Sequence, residues 1–232
     1  MPFSNSPIEQ LRRLSTCAVA NAIENLKVRL RNEGFTDNTI RYLAGPPEPM
    51  VAHAVTVRIR CSSPPTDSHD YLESTQWWNY ILDVPEPRVV VIEDVDPTPG
   101  LGGLVGEIHA NILRALGCIG VMTNGSVRDL PALEKLQFHT FASRLAVSHA
   151  YSHIVEMSNP VEIAGLKIES GDLLHGDLHG VISVPKGAVA EIPLVAERIL
   201  QREQKILELC RPNNFSIENL REAIRAFRNS ES

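Results

Sequence analysis

The sequence predicts a mixed α/β fold on three observations. Short β-branched runs at 51–61, 88–93 and 118–122 alternate with helical segments through the first half of the chain. In the second half, strand-like segments outnumber central helices. The 232 residues are enough to bury a full core, with no linker long enough to demand two domains. One domain carrying N- and C-terminal helices is therefore expected.

The elements follow in order. Ser6-Pro7-Ile8-Glu9 reads as a capping box with proline at the first helical position. Ile8, Leu11, Leu14, Val19, Ile23 and Leu26 recur at near-helical spacing, so one or two helices extend to about residue 30. A loop rich in proline and glycine covers 34–50, and a strand covers 51–61. A helix over 70–82 carries Trp77 and Trp78, read as packing or subunit contact. Residues 88–93 form a buried strand, 94–100 a turn, 108–116 a helix and 118–122 the next buried strand. A short helix at 130–136 and a strand at 138–141 follow. Residues 145–155 alternate, with Leu145, Val147, His149, Tyr151, His153 and Val155 on one side. A hairpin turns at Ala164-Gly165, a glycine turn separates 173–174 from 181–184, and a helix spans 188–210. Ser216 caps the last helix.

Composition excludes several function classes. A net charge of −6, with no basic run of five or more, argues against a nucleic-acid surface. Cys17, Cys61, Cys118 and Cys210 are scattered without a C-x-x-C, which predicts buried, reduced thiols. The first residues lack a basic and an apolar signal region, and no apolar run approaches the ~18–20 residues of a membrane span. A soluble cytoplasmic protein is the expectation.

The centre of interest is Gly102-Gly103-Leu104-Val105-Gly106-Glu107. Glycines let backbone approach a ligand closely. Leu104 to Glu107 would stand in the first turn of the following helix, where free N–H groups and the helix dipole favour an anion. The strand at 118–122 delivers Arg128 and Asp129 to a turn, and loops after successive strands meet on one sheet edge. Amide donors, a guanidinium and a carboxylate would thus converge on one small anion. Each residue also has a plain reading: Asp129 as a helix cap, Arg128 as a surface or ion-paired arginine, Glu107 as a favourable charge at a helix N-terminus. Arg128, after Asn124-Gly125 at a strand end, is better placed as a carboxylate or oxyanion clamp.

His149 and His153, and His175 and His179, each sit four apart, a spacing that admits a zinc site. No H-E-x-x-H is present, and His175 and His179 are read into a glycine turn, where lining a substrate pocket suits them better. Gly100-Leu101-Gly102 opens like a dinucleotide fingerprint, but position 105 is valine and no phosphate-loop lysine follows, so neither NAD nor ATP is supported.

Twenty residues separate Glu107 from Arg128-Asp129. This resembles the D-x20-R-D signature of the RraA-like family, which includes 4-hydroxy-4-methyl-2-oxoglutarate aldolases. Ser15-Thr16-Cys17 resembles its S-T-x segment. Residues 171–181, with Gly171, Asp172, Asp177, Gly180 and Val181, resemble its G-D-x4-D-x-x-G-V segment. The resemblance covers most of 11–205 and leaves a helical extension of about 212–232.

The resemblance implies a β/β/α swivelling fold related to phosphohistidine domains. It also implies a homotrimer or hexamer with sites between subunits. It further implies a Mg²⁺- or Mn²⁺-dependent lyase, cleaving short 2-oxo acids through a pyruvate enolate as aldolase, oxaloacetate decarboxylase or both. Asp129 would hold the metal, and Glu107 would hydrogen-bond water on it. The backbone of Gly103, Leu104, Val105 and Gly106 would bind the substrate carboxylate. Arg128 would stabilise the 2-oxo oxygen, and Glu203 would arrive from a neighbouring subunit. Three positions depart from the usual pattern: Glu107 stands for Asp, Asn21 for Asp, and Ala132 for an acid after the R-D pair. The alternative is a non-catalytic regulator that binds a ribonuclease-containing RNA-degrading complex. Retention of Arg128 and Asp129 favours the enzyme. A methyltransferase is disfavoured because no glycine-rich methyl-donor loop is present.

Overall fold

A computed structural model describes residues 6–65, 76–212 and 215–229, with side chains to 226. Two helices open it, α1 (Pro7–Leu11) and α2 (Thr16–Leu26). Ser6 and Ser15 cap them, accepting from the N–H of Glu9 and Ala18. Strand β1 (Arg41–Ala44) lies inside the segment expected to be loop, and β2 (Met50–Arg60) follows. Then come α3 (Gln76–Asp83), β3 (Arg88–Asp94), α4 (Glu107–Ala115), β4 (Cys118–Val127) and α5 (Leu130–Lys135). The first part of the helix expected at 70–82 falls outside the described residues.

The second half contains β5 (His139–Leu145), β6 (His153–Met157), β7 (Val161–Ile163), β8 (Leu166–Ile168), β9 (Leu173–Asp177) and β10 (Gly180–Val184). After a 3-10 turn at Lys186–Ala188 come α6 (Ile192–Leu209) and α7 (Ile217–Asn229). No described helix is long and apolar enough to cross a membrane.

The main sheet has the order β1-β5-β4-β3-β2-β9-β10. Its centre, β2 to β5, is parallel, and β1, β9 and β10 add antiparallel edges. Long β2 takes two antiparallel partners in turn, β9 along 50–53 and β6 along 57–60. Alternation along β3 divides the core. Val90 and Ile92 face a layer with Trp77, Ile81, Leu113 and Leu133 from α3, α4 and α5. Val89 and Val91 face the β7–β8 hairpin through Val161, Ile163 and Ile168. A third cluster clamps α2 and α6 onto β9 and β10 through Val19, Ile23, Ile192 and Ile199. The result is mixed α/β.

Several expectations need correction. The strand expected at 118–122 runs on to Val127, so Asn124-Gly125-Ser126 is sheet rather than turn. Asn124 explains why: its Oδ1 accepts from Asp94 N at 2.7 Å and its Nδ2 donates to Asp94 O at 3.1 Å, so an amide side chain continues the ladder to β3. The alternation at 145–155 is not one strand. Ala150 adopts a left-handed backbone, Ser152 N bonds back to His149 O, and Val147 is 98 % exposed. His175 is an interior residue of β9 and completely buried, not part of a turn. Of the four thiols, Cys61 and Cys118 are buried, but Cys17 and Cys210 are exposed. The hairpin at Ala164-Gly165 is as expected, because both residues take positive φ there.

Candidate functional site

The loop between β3 and α4 is anchored before it reaches the site. Asp94 accepts from Asp96 N at 3.1 Å and from Gly100 N at 2.8 Å. Asp96 accepts from the amides of Cys61 and Ser62 at 2.8 and 2.7 Å and from the Ser62 hydroxyl at 2.6 Å. Burial alone would raise the Asp96 carboxyl. The hydrogen bonds from Ser62 and Cys61, with Arg60 nearby, hold it below its usual range instead. Cys61, Asp94 and Asp96 bring their ligand atoms within 4.8 Å of one another. Their chemistry is that of a loop anchor: both carboxylates are occupied by amide donors, and burial pushes the Cys61 thiol up to about 11.

Beyond the anchor, the loop lies against the end of β4. Gly103 bridges Ser126, and Arg128 N donates to Val105 O at 2.9 Å. A side chain on Gly103 would meet Arg128 Cγ at 2.9 Å, and one on Gly102 would run into the His149 carbonyl. The glycines are there for backbone-on-backbone approach. His149, which sequence reading placed in a strand, holds this loop from outside through Nδ1 to Gly103 O at 2.7 Å. The Gly103 amide is used internally, donating to Ser148 O at 3.1 Å.

Asp129 then does something the chain order conceals. It precedes α5 in the N-cap position, with φ 53° and ψ 41°, yet makes no side-chain cap bond to that helix. Its Oδ2 instead accepts from Glu107 N at 3.1 Å, the first amide of α4. Gly106, the N-cap of α4, has no side chain to do this, and a Cβ there would meet Asp129 Oδ2 at 2.5 Å. The protein's own carboxylate thus occupies part of the helix N-terminus that was expected to attract a ligand anion. Asp129 Oδ1 lies 4.0 Å from Arg128 Nη2, and the two side chains are 42 % and 24 % exposed. Glu107 is exposed one residue into α4. Guanidinium, carboxylates and the Leu104–Gly106 backbone therefore come together at the carboxyl edge of β3 and β4. Leu104 and Val105 anchor this edge by burying their side chains in the core.

A divalent cation fits this set. One Asp129 oxygen is tied to an amide and the other is not, which suits a hard cation that keeps most of its water. Glu203 does not join the cluster within the chain. It sits half-buried on α6, in a groove of about 230 Å³ shared with Asn21, Glu24 and Lys27 of the α2 region.

The histidines do not assemble a zinc site. Among the described residues, only Cys61, Asp94 and Asp96 have metal-ligand spacing. His175 bonds Thr16 Oγ1 at 3.0 Å and Leu11 O at 3.1 Å, and burial lowers its pKa. Asp177 accepts from Thr16 N at 2.9 Å and pairs with His179 Nδ1 at 3.0 Å. The S-T-x segment and the G-D-x4-D segment thus close on each other, pinning α2 to β9.

The comparisons agree with this architecture. A protein of Pseudomonas syringae pv. tomato superposes with a TM-score of 0.71 at 24 % identity, over 96 % of this chain and 95 % of its own. Streptomyces coelicolor RraAS2, described as an unusual member of the RNase ES inhibitor RraA protein family, gives 0.67 at 20 % identity, over 88 % and 96 %. At these identities the likeness speaks for fold. A Halalkalibacterium halodurans protein named "Putative 4-hydroxy-4-methyl-2-oxoglutarate aldolase" is 28 % identical over 103 residues, 44 % of this chain and 46 % of its own. The chain spans about half the length of the curated relatives it matches first. The RraA-like family profile (Aldolase/RraA) matches residues 16–183, from Thr16, whose amide donates to Asp177, through the Arg128–Asp129 edge to β10, and the chain belongs to that family.

Proposed function

We propose that this chain is a divalent-metal-dependent carbon–carbon lyase acting on short 2-oxo acids. The observation that carries the reading is the Arg128–Asp129 pair, held against the Gly102–Gly106 loop with both side chains partly exposed. The family profile and the aldolase-named relative support it.

Asp129 would hold Mg²⁺ or Mn²⁺, which supplies Lewis acidity toward the substrate's carboxylate and 2-oxo oxygens. The chain's own residues do the rest. Backbone amides of Leu104, Val105 and Gly106 receive the carboxylate, and Arg128 faces the 2-oxo oxygen. In a 4-hydroxy-2-oxo acid, Glu107 accepts the 4-hydroxyl proton through water as the C3–C4 bond breaks. The bonding pair passes to the pyruvyl unit, and a carbonyl forms at C4. Arg128 stabilises the resulting enolate oxygen, because a planar guanidinium matches that charge before it develops. Loss of CO₂ from oxaloacetate gives the same enolate, so one site serves both reactions.

In this reading Glu203 completes the site from a neighbouring copy in a trimer or hexamer. Within its own chain it faces α2 instead. The β/β/α swivelling arrangement, as a single domain in the cytoplasm, belongs to the same proposal. The test is pyruvate release from oxaloacetate with Mg²⁺, with and without chelator. Chelator-sensitive release is expected; none with any divalent metal, for oxaloacetate or a 4-hydroxy-2-oxo acid, rejects the reading.

A further inference from the structure

A cavity of about 510 Å³ lies at the opposite edge of the sheet, where β4 and β5 begin. Ile119 and Leu136 form its apolar wall, with Phe138 buried in the core behind them, and Pro46 and Pro49 close it from the segment before β2. Three guanidinium groups border it: Arg12 and Arg13 just after α1, and Arg114 in the last turn of α4. Two carboxylates oppose them, Glu9 and Glu48. Glu9 Oε1 pairs with Arg12 Nη1 at 2.9 Å, while Arg114 Nη1 donates to Leu136 O at 3.0 Å from an exposed position.

His139 also lines the cavity and is 6 % exposed. Burial and the Arg12 charge push its pKa down to about 4, so it is neutral near pH 7 and adds a polar contact without a charge. Its Nδ1 lies 3.5 Å from the Tyr42 hydroxyl. The volume is that of a small-molecule site, with mostly apolar walls and a few convergent polar groups. It is too large for a bare inorganic ion.

We infer that this cavity binds a small organic carboxylate with an aryl-sized apolar body, its head group between Arg12 and Arg114 and its body against Ile119 and Leu136. The position is separate from the Arg128–Asp129 edge. Helix α4 runs from Glu107 at that edge to Arg114 at this one, a rise of about 11 Å. The inference does not depend on the lyase reading.

The test uses phenylacetate, with neutral phenylacetamide as its near-isostere, titrated into the full-length protein. The readouts are the His139 ring resonances by NMR and the heat of binding. Phenylacetate is expected to shift His139 saturably. Phenylacetamide, without the charge that faces both arginines, should bind at least about tenfold more weakly, and phenylacetate should bind Arg114→Gln about tenfold more weakly for the loss of one charge-assisted contact. Arg12→Gln should behave likewise; Arg114→Gln guards against a folding defect at α1, since Arg114 is exposed. No saturable shift at His139, equal binding of acid and amide, or affinity unchanged in both arginine variants would each overturn the inference.

Discussion

Asp129 occupies a left-handed backbone position, which asparagine adopts more readily than alanine. Asp129→Asn is therefore the informative substitution. Its side-chain oxygen still accepts from Glu107 N, while the negative charge is lost. We expect near-native melting and loss of Mg²⁺-dependent pyruvate release. Asp129→Asn with unchanged activity and metal requirement would take this residue off the ligand list. Arg128 separates two jobs in the same way. Lysine keeps the charge but not the planar fork. If Arg128 stabilises the enolate, Arg128→Lys lowers kcat by roughly 10²–10³. If it only binds carboxylate equally in ground and transition states, KM rises instead. Exchange of pyruvate methyl protons in D₂O, followed by NMR, reads the enolate step directly. Wild-type exchange in Arg128→Lys would place enolate stabilisation elsewhere.

At the scale of elements, the site depends on how closely the β3–α4 loop approaches the end of β4. Gly106 has an ordinary extended backbone, so its requirement is steric alone. Gly106→Ala places a methyl group against the Asp129 carboxylate and must shift it. Such overpacking typically costs about 1–3 kcal/mol, and activity should fall further than stability does. Wild-type kinetics in Gly106→Ala would show that the Asp129–Glu107 contact is dispensable. The β3–β4 junction has a comparable dependence on Asn124. Removing its amide leaves both the Asp94 N–H and C=O without that partner. Asn124→Ala is expected to lower unfolding free energy by about 1–3 kcal/mol in urea titrations.

For the whole molecule, pH and assembly are the levers. His139 has a folded-state pKa of about 4 against an ordinary 6.5. The unfolded chain therefore binds a proton over pH 6.5 to 4 that the folded chain excludes. Stability falls as pH drops through this window, by an amount on the order of 3 kcal/mol. His139→Gln should flatten the dependence of the urea midpoint there. Asp96 and Asp177 act separately: their lowered folded pKa values stabilise above the unfolded carboxylate pKa and are lost in more acidic solution. Assembly is tested by light scattering, which should give about three or six subunits. Mixing Asp129→Asn with Glu203→Gln chains should restore some activity if the two residues meet across an interface. A fully active monomer would refute the composite site.

Local physics made much of this protein legible before any coordinates. The β-branched runs of β2 and β3, the capping serines Ser6 and Ser216, and the Ala164-Gly165 turn all act over a few residues, where steric and hydrogen-bonding preferences suffice. The glycine loop, with Arg128 and Asp129, was visible as a place where chemistry would collect. What lay beyond the sequence was which group satisfies which. Asp129 stands before α5 in the chain but bonds the first amide of α4, 22 residues upstream. Asn124 looks like turn chemistry but extends a ladder, because the partner it needs is on β3. Residues 145–155 alternate as a strand would, yet Ser148 and His149 are held by Gly103 and curl into a loop. His175 sits beside glycines in sequence but under Thr16 in space. In each case a long-range hydrogen bond outweighed a local preference, and only the packed chain brings the partners of such a bond together.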